Sequence, residues 1–165
     1  MKRFSIRTLL IATALVAVLM AIPIRRAIEQ KRGRDWVASQ NGHVHLSVSR
    51  SYNDFTDQWT DSDSLLAPQW LVDALGIDFF DTVETVVLDN MEVKDLSPIT
   101  DLRNLETLGI IIEIDDQLDF SPLAELPKLR HLHLDYTNIS AERLAKLRKL
   151  LPHVLVDATN HPPPD

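Results

Sequence analysis

The sequence predicts an α/β solenoid of three to four coils with an N-terminal cap, preceded by one membrane-spanning helix. Three observations carry that expectation. A seventeen-residue apolar run lies near the N-terminus, an apolar triplet recurs four times in the C-terminal half, and the apolar period changes within each recurrence.

The apolar run, TLLIATALVAVLMAIPI, sits between Arg7 and Arg25. As a helix it spans about 26 Å at ~1.5 Å per residue, against a hydrocarbon core of ~30 Å. Flanking arginines snorkel to cover the difference. Pro23 falls in the last turn of that helix, where a lost backbone bond is tolerated. A cleaved signal peptide shares the basic and apolar regions but needs small residues before its cut. Cleavage after Ala21 puts Leu19 three positions back, and Ile22, Pro23 and Ile24 follow, so the segment reads as an uncleaved anchor. Lys2, Arg3 and Arg7 flank one side; Arg25, Arg26, Lys31, Arg32 and Arg34 flank the other. That count favours a cytoplasmic body, while exporting a short tail with three cations and a free amine opposes it. The expectation is N-terminus inside, body outside.

Charge divides the chain. Residues 1–34 hold eight basic side chains and one acidic one, Glu29; the remainder holds nine basic and 23 acidic. A basic arm beside an apolar run suits an anionic bilayer surface. The acidic body argues against nucleic acid, because phosphate neutralisation needs clustered Lys and Arg. The absence of cysteine excludes disulfides, thiolate zinc and a Cys nucleophile. No phosphate loop, nucleophile elbow or HExxH set is present, so no cofactor and no enzyme chemistry is expected.

Domain organisation follows. Residues 1–7 form a basic tail, 8–24 the transmembrane helix, and 25–42 a juxtamembrane helix ending in the Asn41-Gly42 turn. Residues 43–82 hold a strand (His43 to Val48, alternating at period two), a flexible Ser/Asp/Thr-rich loop over 49–67, and a capping segment. Residues 83–157 carry the repeats, and 158–165 form a disordered tail.

The repeated pattern is LxxLxL: Val83-Val86-Leu88, Leu105-Leu108-Ile110, Leu129-Leu132-Leu134 and Leu151-Val154-Val156, at intervals of 22, 24 and 22 residues. Each is followed by apolar residues at steps of three or four, the mark of a helical turn: Val93, Leu96, Ile99 and Leu102, then Phe120, Leu123 and Leu126, then Ile139, Leu144, Leu147 and Leu150. One such unit cannot bury its apolar face alone. Stacked units align their triplets and pair their strands in parallel. Pro98, Pro122 and Pro127 lie on return segments, where no sheet bond is lost.

These triplets resemble the leucine-rich-repeat (LRR) family, whose unit reads LxxLxLxxNxL. The likeness covers 83–156 and is specific in the first six positions. The Asn position holds Met91, Glu113 and Thr137, which implies less regular turns; Thr137, with Asn138 beside it, is the residue expected to substitute through its hydroxyl. The stretches RFSIRTLLIATALVAVL, PQWLVDALGIDFFDTVETVVL and LHLDYTNIS look like short membrane-anchored LRR proteins of planctomycete bacteria. That resemblance implies a bacterial inner-membrane location. It also implies a cap built from Pro68, Trp70, Leu71, Leu75, Gly76, Phe79 and Phe80, the two phenylalanines plugging the open end. Pro68 suits a helix start and Gly76 its end.

Residues between the triplet positions point outward. They are Thr85, Val87, Asp89, Thr107, Gly109, Ile111, His131, His133, Asp135, His153, Leu155 and Asp157, the expected partner-binding concave face. Three cross-strand rows follow: Thr85, Thr107, His131, His153; then Val87, Gly109, His133, Leu155; then Asp89, Ile111, Asp135, Asp157. The leading expectation is a membrane-tethered protein–protein interaction module with an unidentified protein partner. A metal-binding protein or metal-dependent hydrolase using His131, His133, His153 and the neighbouring Asp135 and Asp157 is the alternative, since imidazole and carboxylate suit zinc. A structural envelope component is a third. Lesser candidates are calcium at Asp54, Asp57, Asp61 and Asp63, which lack the Gly and Glu of an EF-hand; an acidic edge for a basic partner at Glu113, Asp115, Asp116 and Asp119; and a glycosylation sequon at Asn138-Ile139-Ser140.

Overall fold

The computed structural model describes residues 6–47, 50–53, 58–61, 67–89, 93–111, 114, 117–135 and 137–159, with backbone alone over 7–9, 50–53 and 58–61. Its first element, α1 (Ile6–Ser39), is one unbroken helix of 34 residues. The two helices expected on either side of Arg25 are therefore one, and Pro23 lies inside it rather than in its last turn. Proline removes a single helical bond, and packing downstream holds the turns that follow. Arg25 pairs with Glu29 one turn on at 2.8 Å, and Gln30, Gly33 and Val37 are buried against the body. Upstream, Leu10, Ile11, Leu15, Val18, Leu19 and Ile22 are exposed. Among the described residues α1 is the one helix long and apolar enough to cross a membrane.

The chain then turns tightly. Asn41 takes a left-handed conformation, φ 54°, which its short polar side chain tolerates. Gly42 is needed for space: a Cβ there would lie 2.8 Å from Val37 Cγ1 and 2.9 Å from the Val87 carbonyl oxygen. β1 (His43–Leu46) follows and pairs antiparallel with β4 (Val83–Leu88). The stretch read as a loop contains β2 (Arg50–Asn53) and β3 (Gln58–Asp61), an antiparallel pair with Tyr52 opposite Trp59.

α2 (Gln69–Leu75) starts behind Pro68 and stops at Gly76, φ 84°, before a 3-10 turn at Ile77–Phe79. This segment does not plug the sheet. Trp70 is 69% exposed, Leu75 is exposed, and Phe79 and Phe80 are half-buried, meeting edge to face at 5.1 Å. α1 fills that place. Val37 is fully buried in the core and lies beside Leu88 across Gly42, while Gly33 lets the helix backbone approach Leu102, which a Cβ would meet at 2.8 Å. A long helix already tied to β1 by the three residues Gln40 to Gly42 presents more apolar surface than the seven-residue α2. It therefore wins the position.

One sheet runs β1-β4-β5-β6-β7, with β5 (Thr107–Ile110), β6 (His131–Asp135) and β7 (Leu155–Thr159) parallel to β4. Each parallel strand lies beside its predecessor, linked by a 3-10 turn (Ser97–Asp101, then Ser121–Glu125) and finally by α3 (Ala141–Leu150). Val86, Leu108, Leu132 and Val156 align across the strands, and so do Leu88, Ile110, Leu134 and Ala158. All but the half-buried Ala158 are buried, together with Val83, Leu105, Leu129, Leu151 and Val154. The triplets thus face one apolar interior.

The two 3-10 turns are built alike. Asp95 accepts the Ser97 N–H at 2.8 Å and Asp119 the Ser121 N–H at 2.9 Å, each ahead of a proline at the helix start. α3 is instead capped by Ser140, whose Oγ accepts the Arg143 N–H at 3.2 Å, and carries Arg148 and Lys149 in its last turn.

Candidate functional site: the outer face of the sheet

Side chains alternate along a strand, so the residues between the buried positions share the other face. Thr85, Val87, Thr107, His133 and Asp135 are half-buried there, and Asp89, Ile111, His131, Leu155 and Asp157 are exposed. Gly109 is buried beside Val87. On β4, β5 and β6 these residues alternate with the buried triplet positions, with Gly109 covered.

The last strand is shifted by two residues from its expected register. His131 faces Leu155, His133 faces Asp157 and Asp135 faces Thr159, whose hydroxyl donates to the Asp135 carboxylate. His153 is not in the His131 row but in the exposed turn before β7. The displacement lies in the turn from Leu151 to Val154, closed by the Val154 N–H on the Leu151 carbonyl, which precedes the strand; the step across the ten-residue α3 equals that across the five-residue 3-10 turn before it. Strand positions therefore step by 22, 24 and 24 residues, through Thr85, Thr107, His131 and Leu155.

β1 widens the face. His45 lies opposite Thr85 and His43 opposite Val87, while Val44 and Leu46 pack inward. Two rows result: His45, Thr85, Thr107, His131, Leu155, and His43, Val87, Gly109, His133, Asp157. The period-two run at 43–48 was a readable strand signal. Its pairing with β4 was not, because antiparallel return to the first repeat strand depends on where α1 packs.

Local geometry gives the face its character. The His131 and His133 rings stack with centroids 6.2 Å apart and planes 5° from parallel. His43 Nε2 lies 3.6 Å from Asp89 Oδ2. Among the described residues no three His, Asp or Glu side chains are placed to hold one metal ion; His131 and His133 are brought together and His153 is kept apart.

The remaining candidates are absorbed by structure or fall outside the described residues. Asn138 Oδ1 accepts the Ile114 N–H at 2.9 Å, reaching back to the preceding unit. The Thr137 hydroxyl, expected in that role, is buried with no partner among the described residues. Both polar residues of the sequon are engaged, Asn138 with Ile114 and Ser140 as the α3 cap. Asp119 accepts from the Ser121 hydroxyl and amide, which hold its carboxyl below the usual range; Glu113, Asp115 and Asp116 lie outside the described residues. So do Asp54, Asp57 and Asp63, while Asp61 ends β3.

No protein-family model, curated protein or solved structure matches this chain.

Proposed function

We propose that this protein is a membrane-tethered interaction module, a short leucine-rich-repeat solenoid whose sheet face binds another protein outside the cytoplasm. The carrying observation is the apolar exposure on that face. Leu155 is 63% exposed and Ile111 38%, beside half-buried Val87 and the stacked His131–His133 pair. Aliphatic side chains framed by imidazoles and carboxylates form the mixed apolar and polar composition of a reversible protein interface. The in-register parallel strands and the Asn138 bond between units support the repeat reading. Five strands at ~4.8 Å spacing and about five residues each present roughly 300 Å², well under the ~800 Å² per partner of a stable complex. Contacts are therefore weak singly and gain strength when several membrane-confined copies engage one partner.

Site-specific photo-crosslinking in native membranes tests this reading. A photoreactive residue at His131 or Leu155 captures a discrete partner, and one at Glu142 or Lys149, on the return helix, does not. The Leu155→Asp change abolishes capture from His131. Equal capture from both sides of the molecule, or none from the sheet face, removes the proposal.

A further inference from the structure

A groove of about 620 Å³ opens where α1 leaves the body. One wall is α1 from Ile22 to Gln30. Phe79 and Phe80 form another, and the turns before β5 and β6 close the end with Arg103 and Lys128. Its carboxylates are already engaged. Glu29 lies between Arg25 at 2.8 Å and Arg103 at 3.1 Å. Asp78 is held by Arg34 at 2.8 Å, and Asp101 faces Arg32 at 3.5 Å. Asp81 is buried and accepts from the Ser47 hydroxyl and the Thr82 amide. Two cations are left. Arg26 and Lys128 are both exposed and line the groove, and no described carboxylate reaches ion-pair distance of either, Glu84 acting on Lys128 only at longer range.

We propose that this groove holds the anionic headgroup of a phospholipid, its phosphate between Arg26 and Lys128 and an acyl chain along Ile22 and Pro23. The inference rests on reading α1 as a membrane span. Three features select a bilayer lipid over other anions. The apolar end of the groove continues into the exposed aliphatic surface of α1 at Leu19, Ile22 and Ile24. Phe79 and Phe80 extend that apolar lining beside the first turns after the apolar run. The two cations line the same groove next to the apolar run, where basic side chains attract anionic lipid. A soluble phosphate satisfies the cations and leaves the apolar end unused.

The test uses the full chain reconstituted in nanodiscs of mixed phosphatidylcholine and phosphatidylglycerol, followed by native mass spectrometry of the lipids it retains. Wild type is expected to retain phosphatidylglycerol above its share of the bilayer. Arg26→Gln and Lys128→Gln each lower that enrichment about fivefold, the effect of one cation near an anionic surface. Removing Lys94 and Lys149 by the same change leaves it intact, and raised salt weakens it. Thermal unfolding in the same discs confirms that the exposed substitutions leave the fold unchanged. Retention at the bilayer proportion, undiminished retention in the double variant, equal loss in the control pair, or displacement by inorganic phosphate each overturn the lipid site. A chain that fails to enter the discs overturns the span and this inference together; one that enters without lipid preference overturns the groove alone.

Discussion

Thr137 and Asn138 divide one task unequally. The hydroxyl of Thr137 is buried without a partner among the described residues, and the amide of Asn138 satisfies the Ile114 N–H. An unpaired buried hydroxyl costs about 1–3 kcal/mol, so Thr137→Val, which keeps the shape, is expected to stabilise the fold by about 1 kcal/mol. Asn138→Ala leaves a backbone donor unmet and is expected to cost about 1–2 kcal/mol. Urea unfolding of both variants checks the opposite signs. Glu84 offers a pH-dependent counterpart. Burial pushes its carboxyl above the ordinary 4.5, and the charges of Glu106 and Asp81 add to the effect, with Lys128 opposing. A raised carboxyl favours folding below the unfolded value and loses that contribution as pH rises through the folded one. Glu84→Gln, which never ionises, should therefore be more stable than wild type at pH 7, with the difference shrinking as pH falls toward 4.5. A constant difference across that range, or the reverse trend, contradicts the assignment.

At the scale of elements, the apolar triplets are legible because burial demands them: Val86, Leu108 and Leu132 sit at aligned positions, and a polar residue there would lose its water. The strand at 43–46 is legible for the same reason of period. What the residues do not announce is where a strand begins after its return segment, so the Leu151 to Val154 turn that leaves His153 out of the face is invisible from apolar spacing. The Asp-x-Ser-Pro start shared by residues 95–98 and 119–122 was a further repeat signal, readable from spacing alone and missed by counting leucines. The capping role of α1 was hidden by its charges. RRAIEQKRGRDWVASQ looks solvated, yet Gln30 donates to the Asp81 carbonyl at 2.8 Å and accepts the Val83 N–H at 3.3 Å, while Val37 enters the core. Val37→Ala is accordingly expected to cost about 2 kcal/mol, as for a buried aliphatic truncation. Gly33→Val, forced against Leu102, is expected to cost about 1–3 kcal/mol by overpacking. Either variant at wild-type stability would show that α1 rests on the body without being part of it.

One helix joins an exposed aliphatic segment to the body of the molecule. The exposed aliphatic part of α1 and its buried, capping part share a continuous backbone across Pro23. Pro23 is the place in that helix where bending is cheapest. This arrangement also separates two roles that a simple anchor would not. Removing residues 1–24 takes away exposed apolar surface and leaves Gln30, Gly33 and Val37 in place, so that shortened chain is expected to be soluble and to melt within a few degrees of the full one. Removing 1–42 uncovers Leu102, Leu88 and the buried Val83 amide that Gln30 satisfies. A core opened at one end loses both apolar burial and a met donor, and that chain is expected to aggregate or to lose cooperative unfolding. Circular dichroism melts with hydrogen exchange at β4 distinguish the two truncations. If both melt alike, the sheet closes without α1, and the helix is an anchor only.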